Sequence, residues 1–197
     1  MRGFNLAEYE YRTLKAQQLM QQHELGALLL TTETNVRYFT GFLTRFWESP
    51  TRPWYLIIPQ SGKPIAVIPS IGEALMSKTW VEDIRTWPSP NLTDDGINLL
   101  SETLNEVAKK NRVGIPSGAE THVRIPRNDL IKLSQNVNLS HDFEIVKNLR
   151  MIKSKEEIIK IETACMIAKE AFSRVPEIAS ENIRLDEVFR RFQVLCL

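Results

Sequence analysis

The chain has 197 residues, of which 43% are hydrophobic and 25% charged, and a formal net charge of +1. That is enough polypeptide to bury a core, and the composition excludes a disordered or fibrous chain. A charge balance this close to neutral gives no global attraction to nucleic acid or an anionic membrane, and no apolar run approaches the ~20 residues of a membrane span.

The first predicted element is a helix opened by Asn5, with Glu8 three residues later in a variant of the capping box, running to about His23 and stopped by Gly26. Glu8, Glu10 and Arg12 break this opening stretch, so it lacks the apolar core of a signal peptide, and a cytoplasmic protein is expected. "GALLLTT" (26–32) is a continuous apolar run and reads as a buried strand. "WYLIIPQSGKPIAVIP" (54–69) gives two strands joined at Gln60-Ser61-Gly62-Lys63, a hairpin signal. A helix over 70–79 and a strand over 83–87 follow, closed by Pro88 and Pro90.

Residues 94–111 place apolar side chains at 97, 100, 104 and 107, which is helix spacing. "RVGI" (112–115) is a strand, Pro126 opens a helix over about 127–135, and 137–141 is a final strand. Strands and helices thus alternate around one hairpin, which argues for an α/β fold: a mixed sheet with helices on both faces. From residue 143 the sequence changes character, with one short helix, "DFEIVKNLR", and then the stretch that starts at 149. Ser154 and Glu157 form a capping box, and Ile158, Ile161, Cys165, Ala168, Phe172 and Val175 draw one apolar stripe along a helix. A second amphipathic helix covers 185–197. Both stripes need a partner surface, so the expected organisation is one domain over 1–148 and the opening of a second over 149–197.

Candidate catalytic chemistry is sparse. His23, His122 and His141 lie far apart and lack a ligand at i+3 or i+4. His141 with Asp142 and Glu144 reads either as a metal cluster or as the polar end of a strand, and we take the second. The chain lacks a phosphate loop and a nucleophile elbow. Cys165 and Cys196 show no metal spacing and read as reduced thiols. The expected sets of catalytic and metal-binding residues are therefore empty. Tyr38, Thr40 and Gly41 read as structural, the glycine supplying a backbone shape other residues resist. Arg150 and Lys153 are expected to pair with acids and fix the hinge. "TRFWESPTRPW" (44–54) is the one stretch built for recognition: it gathers Trp47, Trp54, Arg45, Arg52 and Glu48 in a loop held by Pro50 and Pro53. Trp54 adjoins a strand and is expected in the core.

Three pieces, in order, resemble the creatinase/prolidase family, the pita-bread metallopeptidases that include Xaa-Pro dipeptidase and aminopeptidase P. They are "LGALLLTTETNVRYFTGF" (25–42), with its Asn-x-x-Tyr-x-Thr-Gly segment, the hairpin at 54–69, and "LRMIKSKEEIIKIETACMIAKEAF" (149–172), similar to the hinge before the catalytic domain. The resemblance implies an N-terminal domain with about six strands in ribonuclease H-like topology, without that activity, which shapes substrate access and makes a homodimer contact. It also implies a catalytic domain whose acids and histidine hold two divalent metals (Mn, Co or Zn), every one of those ligands falling beyond Leu197. In dimeric members the loop after the Thr-Gly element reaches the neighbouring active site, which makes Trp47 and Arg52 the expected substrate-binding residues, the substrate being a peptide or small amide. Two alternatives stand beside this. One is a non-enzymatic peptide- or protein-binding module of the same architecture, as in the large subunit of the histone chaperone FACT. The other is an independent small α/β protein whose terminal helices fold onto the sheet.

Overall fold

The structure, a computed structural model, describes residues 3–49 and 52–197 and divides into two compact units, the first ending at Ile152 and the second starting at Lys153. In the first unit, helix α1 (Leu6–Gln22) leads into β1 (Leu25–Leu30) and α2 (Glu33–Thr40). The hairpin β2 (Tyr55–Pro59) and β3 (Ile65–Pro69) comes next, then α3 (Glu73–Met76) and β4 (Asp83–Trp87). The unit closes with α4 (Ile97–Ala108), β5 (Arg112–Ile115), α5 (Arg127–Asn136), β6 (Leu139–His141) and α6 (Ile145–Met151).

Among the described residues six strands form one sheet in the order β4-β3-β2-β1-β5-β6. β1 pairs antiparallel with β2 and parallel with β5. β2 and β3 pair antiparallel, while β4 and β6 add parallel edges. This is the mixed α/β sheet that the alternation of elements implied.

Every residue of β1, β2 and β3 is buried, as expected for strands covered on both faces. Alternate side chains serve opposite layers. Leu28, Leu30, Leu56 and Ile58 pack with Met20, Phe39 and Ile145 from α1, α2 and α6. Ala27, Leu29, Tyr55 and Ile57 pack with Leu100, Leu104 and Leu133 from α4 and α5. Burying a side chain of this size contributes about 1.5–3 kcal/mol, so two full layers outweigh any single surface interaction. The hairpin turn is tied to α1 as well: the Gln17 amide donates to the carbonyls of Pro59 at 3.0 Å and Gly62 at 2.8 Å.

Local side-chain bonds mark the start of α1 and of α4. Asn5 Oδ1 accepts the Glu8 N–H at 2.9 Å, and Asp94 Oδ1 accepts the N–H groups of Ile97 and Asn98 at the start of α4. Two departures from the sequence reading stand out. The expected helix over 70–79 is a 3₁₀ turn (Ser70–Gly72) followed by the single turn of α3. Helix α2 has no counterpart in that reading: its eight residues are dominated by polar and β-branched side chains, and it is held by burying Val36 and Phe39.

In the second unit α7 (Lys155–Ser173) begins with the expected capping box: Ser154 Oγ accepts the Glu157 N–H at 3.2 Å and Glu157 Oε2 accepts the Ser154 N–H at 2.9 Å. A short α8 (Val175–Ile178) leads to α9 (Leu185–Leu195), where Phe192 sits 4.9 Å, ring to ring, from Phe172 of α7. Ile158, Ile161 and Phe172 of the predicted stripe remain exposed. No helix of the described residues is long and apolar enough to cross a membrane.

Candidate functional site

The recognition loop starts where α2 stops. Gly41 ends that helix at φ 74°, in the left-handed region, with its N–H on the Arg37 carbonyl at 2.8 Å. Thr40 Oγ1 donates to the Val36 carbonyl at 2.7 Å and accepts the Phe42 N–H at 3.0 Å. These bonds are local and structural, and they set the direction in which the chain leaves the sheet.

Thr44 then accepts the Phe46 N–H and starts a 3₁₀ turn over Arg45–Glu48. The turn delivers an aromatic cluster. Trp54 is fully buried, with the rings of Phe42, Trp47 and Phe46 at 5.6, 5.9 and 6.1 Å. Gly72 completes the pocket, because a Cβ there would stand 2.2 Å from Trp54 Cζ3. Trp54 is thus core. Trp47 belongs to the same core cluster and is only 6% exposed, whereas Phe46, Arg45 and Glu48 face outward. The indole N–H groups of Trp47 and Trp54 are buried without a hydrogen-bond partner among the described residues.

Arg52 is half-buried and makes no ion pair with a described residue. The structure does not bring it together with Trp47 by any described contact. The expected bracing by Pro50 lies outside the described residues, and Pro53 is buried.

What braces Trp47 is a residue the sequence reading passed over. The Arg124 guanidinium stands 5.2 Å from the Trp47 ring, and its Nη2 donates to the Ser49 carbonyl. The Arg124 backbone N–H donates to Thr31 Oγ1 at 2.9 Å, at the end of β1. Burial holds the guanidinium below the ordinary arginine range, while the nearby Glu33 carboxylate pulls the other way. One side chain therefore links the loop after β5 to the recognition loop. Nothing periodic in "THVRIPRND" marks it, because the partners are 75 or more residues away in sequence.

Two of the three histidines, far apart in sequence, meet at one ring. His23 stacks on the Phe143 ring at 4.3 Å, His141 packs on the same ring tilted by 44° at 3.9 Å, and His122 is exposed. Asp142 is buried and accepts the N–H groups of Glu144 and Val146, so it secures the start of α6. Glu144 pairs with Lys147 at 3.2 Å. The stretch is the polar end of a strand. Among the described residues no group of three or more His, Cys, Asp or Glu side chains is placed to hold a metal ion. At the hinge, Arg150 donates to Asn35 Oδ1 at 2.8 Å. Cys165 and Cys196 are exposed free thiols.

Residues 12–152 match the family model described as the creatinase/prolidase N-terminal domain. A hydrolase/peptidase of Sinorhizobium fredii is 26% identical over 192 residues, covering 94% of this chain and 48% of its own length. A peptidase of Staphylococcus aureus is 25% identical over 181 residues, covering 88% and 46% respectively. Among solved structures, a prolidase from Thermococcus sibiricus superposes with a TM-score of 0.77 at 21% identity, over 95% of this chain and 49% of that one. The dipeptidase PepE from Mycobacterium ulcerans gives 0.74 at 21% identity, over 98% and 50%. The chain spans about half the length of the curated relatives it matches.

Proposed function

Since the chain belongs to the creatinase/prolidase family through its N-terminal domain, we propose that it serves a metal-dependent hydrolase as the non-catalytic domain that shapes substrate access and contributes to a homodimer. Residues 149–197 are, in this reading, the hinge and first helices of the catalytic domain. The superposition on dipeptidases and prolidases runs over nearly all of this chain, which supports that assignment. The substrate is a peptide or small amide, with an Xaa-Pro bond the first choice, because solved structures of matching fold include a prolidase and an Xaa-Pro dipeptidase. The two divalent metals, Mn, Co or Zn, are assigned to the half of the relatives' length that this chain does not span, since the donor set described here does not fit them. A cytoplasmic location belongs to the same reading.

The observation that carries the proposal is the braced recognition loop. A 3₁₀ turn anchored on Trp54 and held from the far side by Arg124 is a rigid platform at the rim of the sheet. In this reading Arg52, further along the same loop, supplies a positive charge and Trp47 the buried base of the turn. Rigid aromatic and guanidinium groups recognise partners at low entropic cost. In the full-length protein that carries this chain, Arg52→Ala and Trp47→Ala should each raise KM for an Xaa-Pro dipeptide several-fold, as loss of ground-state binding does. Unchanged kcat/KM in both variants rejects the role.

A further inference from the structure

The carboxyl ends of β1 and β5, adjacent and parallel, carry a second concave feature. Chain leaving β1 becomes α2, whose Val36 and Phe39 pack on one face of the sheet. Chain leaving β5 reaches α5, whose Leu133 packs on the other. Where neighbouring connections part toward opposite faces, open α/β sheets form a crevice suited to ligands. Here it is a cleft of about 340 Å³ lined by Thr32, Thr34 and Asn35, by Glu120, and by Lys147 and Arg150 of α6. That volume lies at the small end of the range for small-molecule sites.

Its donors converge. Asn35 is only 7% exposed, and its Oδ1 accepts from Arg150 at 2.8 Å, which turns the amide NH₂ away from that bond. The NH₂ has no hydrogen bond to a described residue. The nitrogen stays open to solvent, so a ligand in the cleft would replace water as its acceptor. Thr32 gives α2 no side-chain cap, so the first-turn N–H groups and the positive end of the helix dipole lie at the same place. Arg150 and Lys147 add two full positive charges. Lys147 also pairs with Glu144, and Glu33 stands in the first turn of α2. Glu120, the lining carboxylate, restricts the site to a single anionic group, because a second would face like charge at close range.

The geometry points to a binding site for the oxyanion of a small molecule, a carboxylate or a phosphate group, held by the Asn35 amide, Lys147, Arg150 and the start of α2. This site is separate from the recognition loop and does not depend on the role assigned to that loop. The test is a titration of the 197-residue chain with sodium acetate and, separately, inorganic phosphate at constant ionic strength, followed by amide ¹⁵N–¹H correlation spectra. Saturable shifts at Thr32, Thr34 and Asn35 are expected, and the anion that saturates them at lower concentration identifies the group. Asn35→Ala and Lys147→Gln should each weaken binding about tenfold, the loss of one charge-assisted hydrogen bond. Lys147 lies on the helix surface, so Lys147→Gln decides the matter even where Asn35→Ala disturbs folding. Equal shifts with chloride, or binding by Lys147→Gln as tight as by the unaltered chain, would overturn the site.

Discussion

Arg124 holds Trp47 from the far side of a loop: its guanidinium stands 5.2 Å from the indole ring, and its Nη2 bonds the Ser49 carbonyl two residues on. With the Arg124 N–H on Thr31, three separate segments meet through one residue. The recognition loop is therefore part of the fold, although a 3₁₀ turn has little stability of its own.

Replacing Arg124 by Lys tests this linkage. An ammonium keeps the charge but cannot stack on the indole and bond the Ser49 carbonyl in one plane. The variant should lose about 1–2 kcal/mol in denaturant unfolding, and Arg124→Ala somewhat more. Faster amide exchange in residues 44–49 should accompany the loss. Stability and exchange both unchanged would show that the loop stands without it.

Gly41 and Gly62 provide a matched pair. Both have positive φ, 74° and 89°, but a Cβ at Gly41 would meet the Tyr9 hydroxyl at 2.3 Å, while one at Gly62 meets nothing within 4 Å. Left-handed strain alone costs about 1–2 kcal/mol. Gly62→Ala should show roughly that in calorimetry, and Gly41→Ala clearly more, since Tyr9 must also move.

Tyr55 makes stability fall in alkali. Its hydroxyl is buried without a hydrogen-bond partner among the described residues, and burial, then Asp129, Asp95 and Asp94, push its ionisation far above the ordinary tyrosine range. The folded protein keeps this proton while the unfolded chain releases it from about pH 10 upward. The folded-state pKa is the raised one, so the stability is present below pH 10 and declines above it, by about 1.4 kcal/mol per pH unit. Tyr55→Phe should remove that slope in urea titrations between about pH 9 and 11 and leave neutral stability unchanged or higher. An unaltered slope would place the effect elsewhere.

The capping box of α7 yields the fourth expectation. Ser154→Ala removes the acceptor for the Glu157 N–H and should cost about 1 kcal/mol of local helix stability. The readout is faster hydrogen exchange confined to the first turn of α7, with exchange in β1 and β2 unaffected.

Much of this was legible before any coordinate. The continuous apolar runs, the period-3.6 patterns, the hairpin at Gln60–Lys63 and the caps at Asn5 and Ser154 depend on neighbours within a few residues, so they can be read along the chain. Helix α2 escaped because its stability comes from burying Val36 and Phe39 rather than from its own propensities. The short α3 was overdrawn: Gly72, packed against Trp54, ends a 3₁₀ turn that takes the place of the first turn of the expected helix.

By itself the sequence determined the α/β class, the succession of the six strands and the family resemblance, since each rests on short-range pattern. Only the tertiary structure decided which side chains meet: Arg124 with Trp47, His23 and His141 on one phenyl ring, and Asn35 with Arg150 across 115 residues. Such contacts leave no periodic trace, because the sheet brings together strand ends whose separation along the chain is arbitrary.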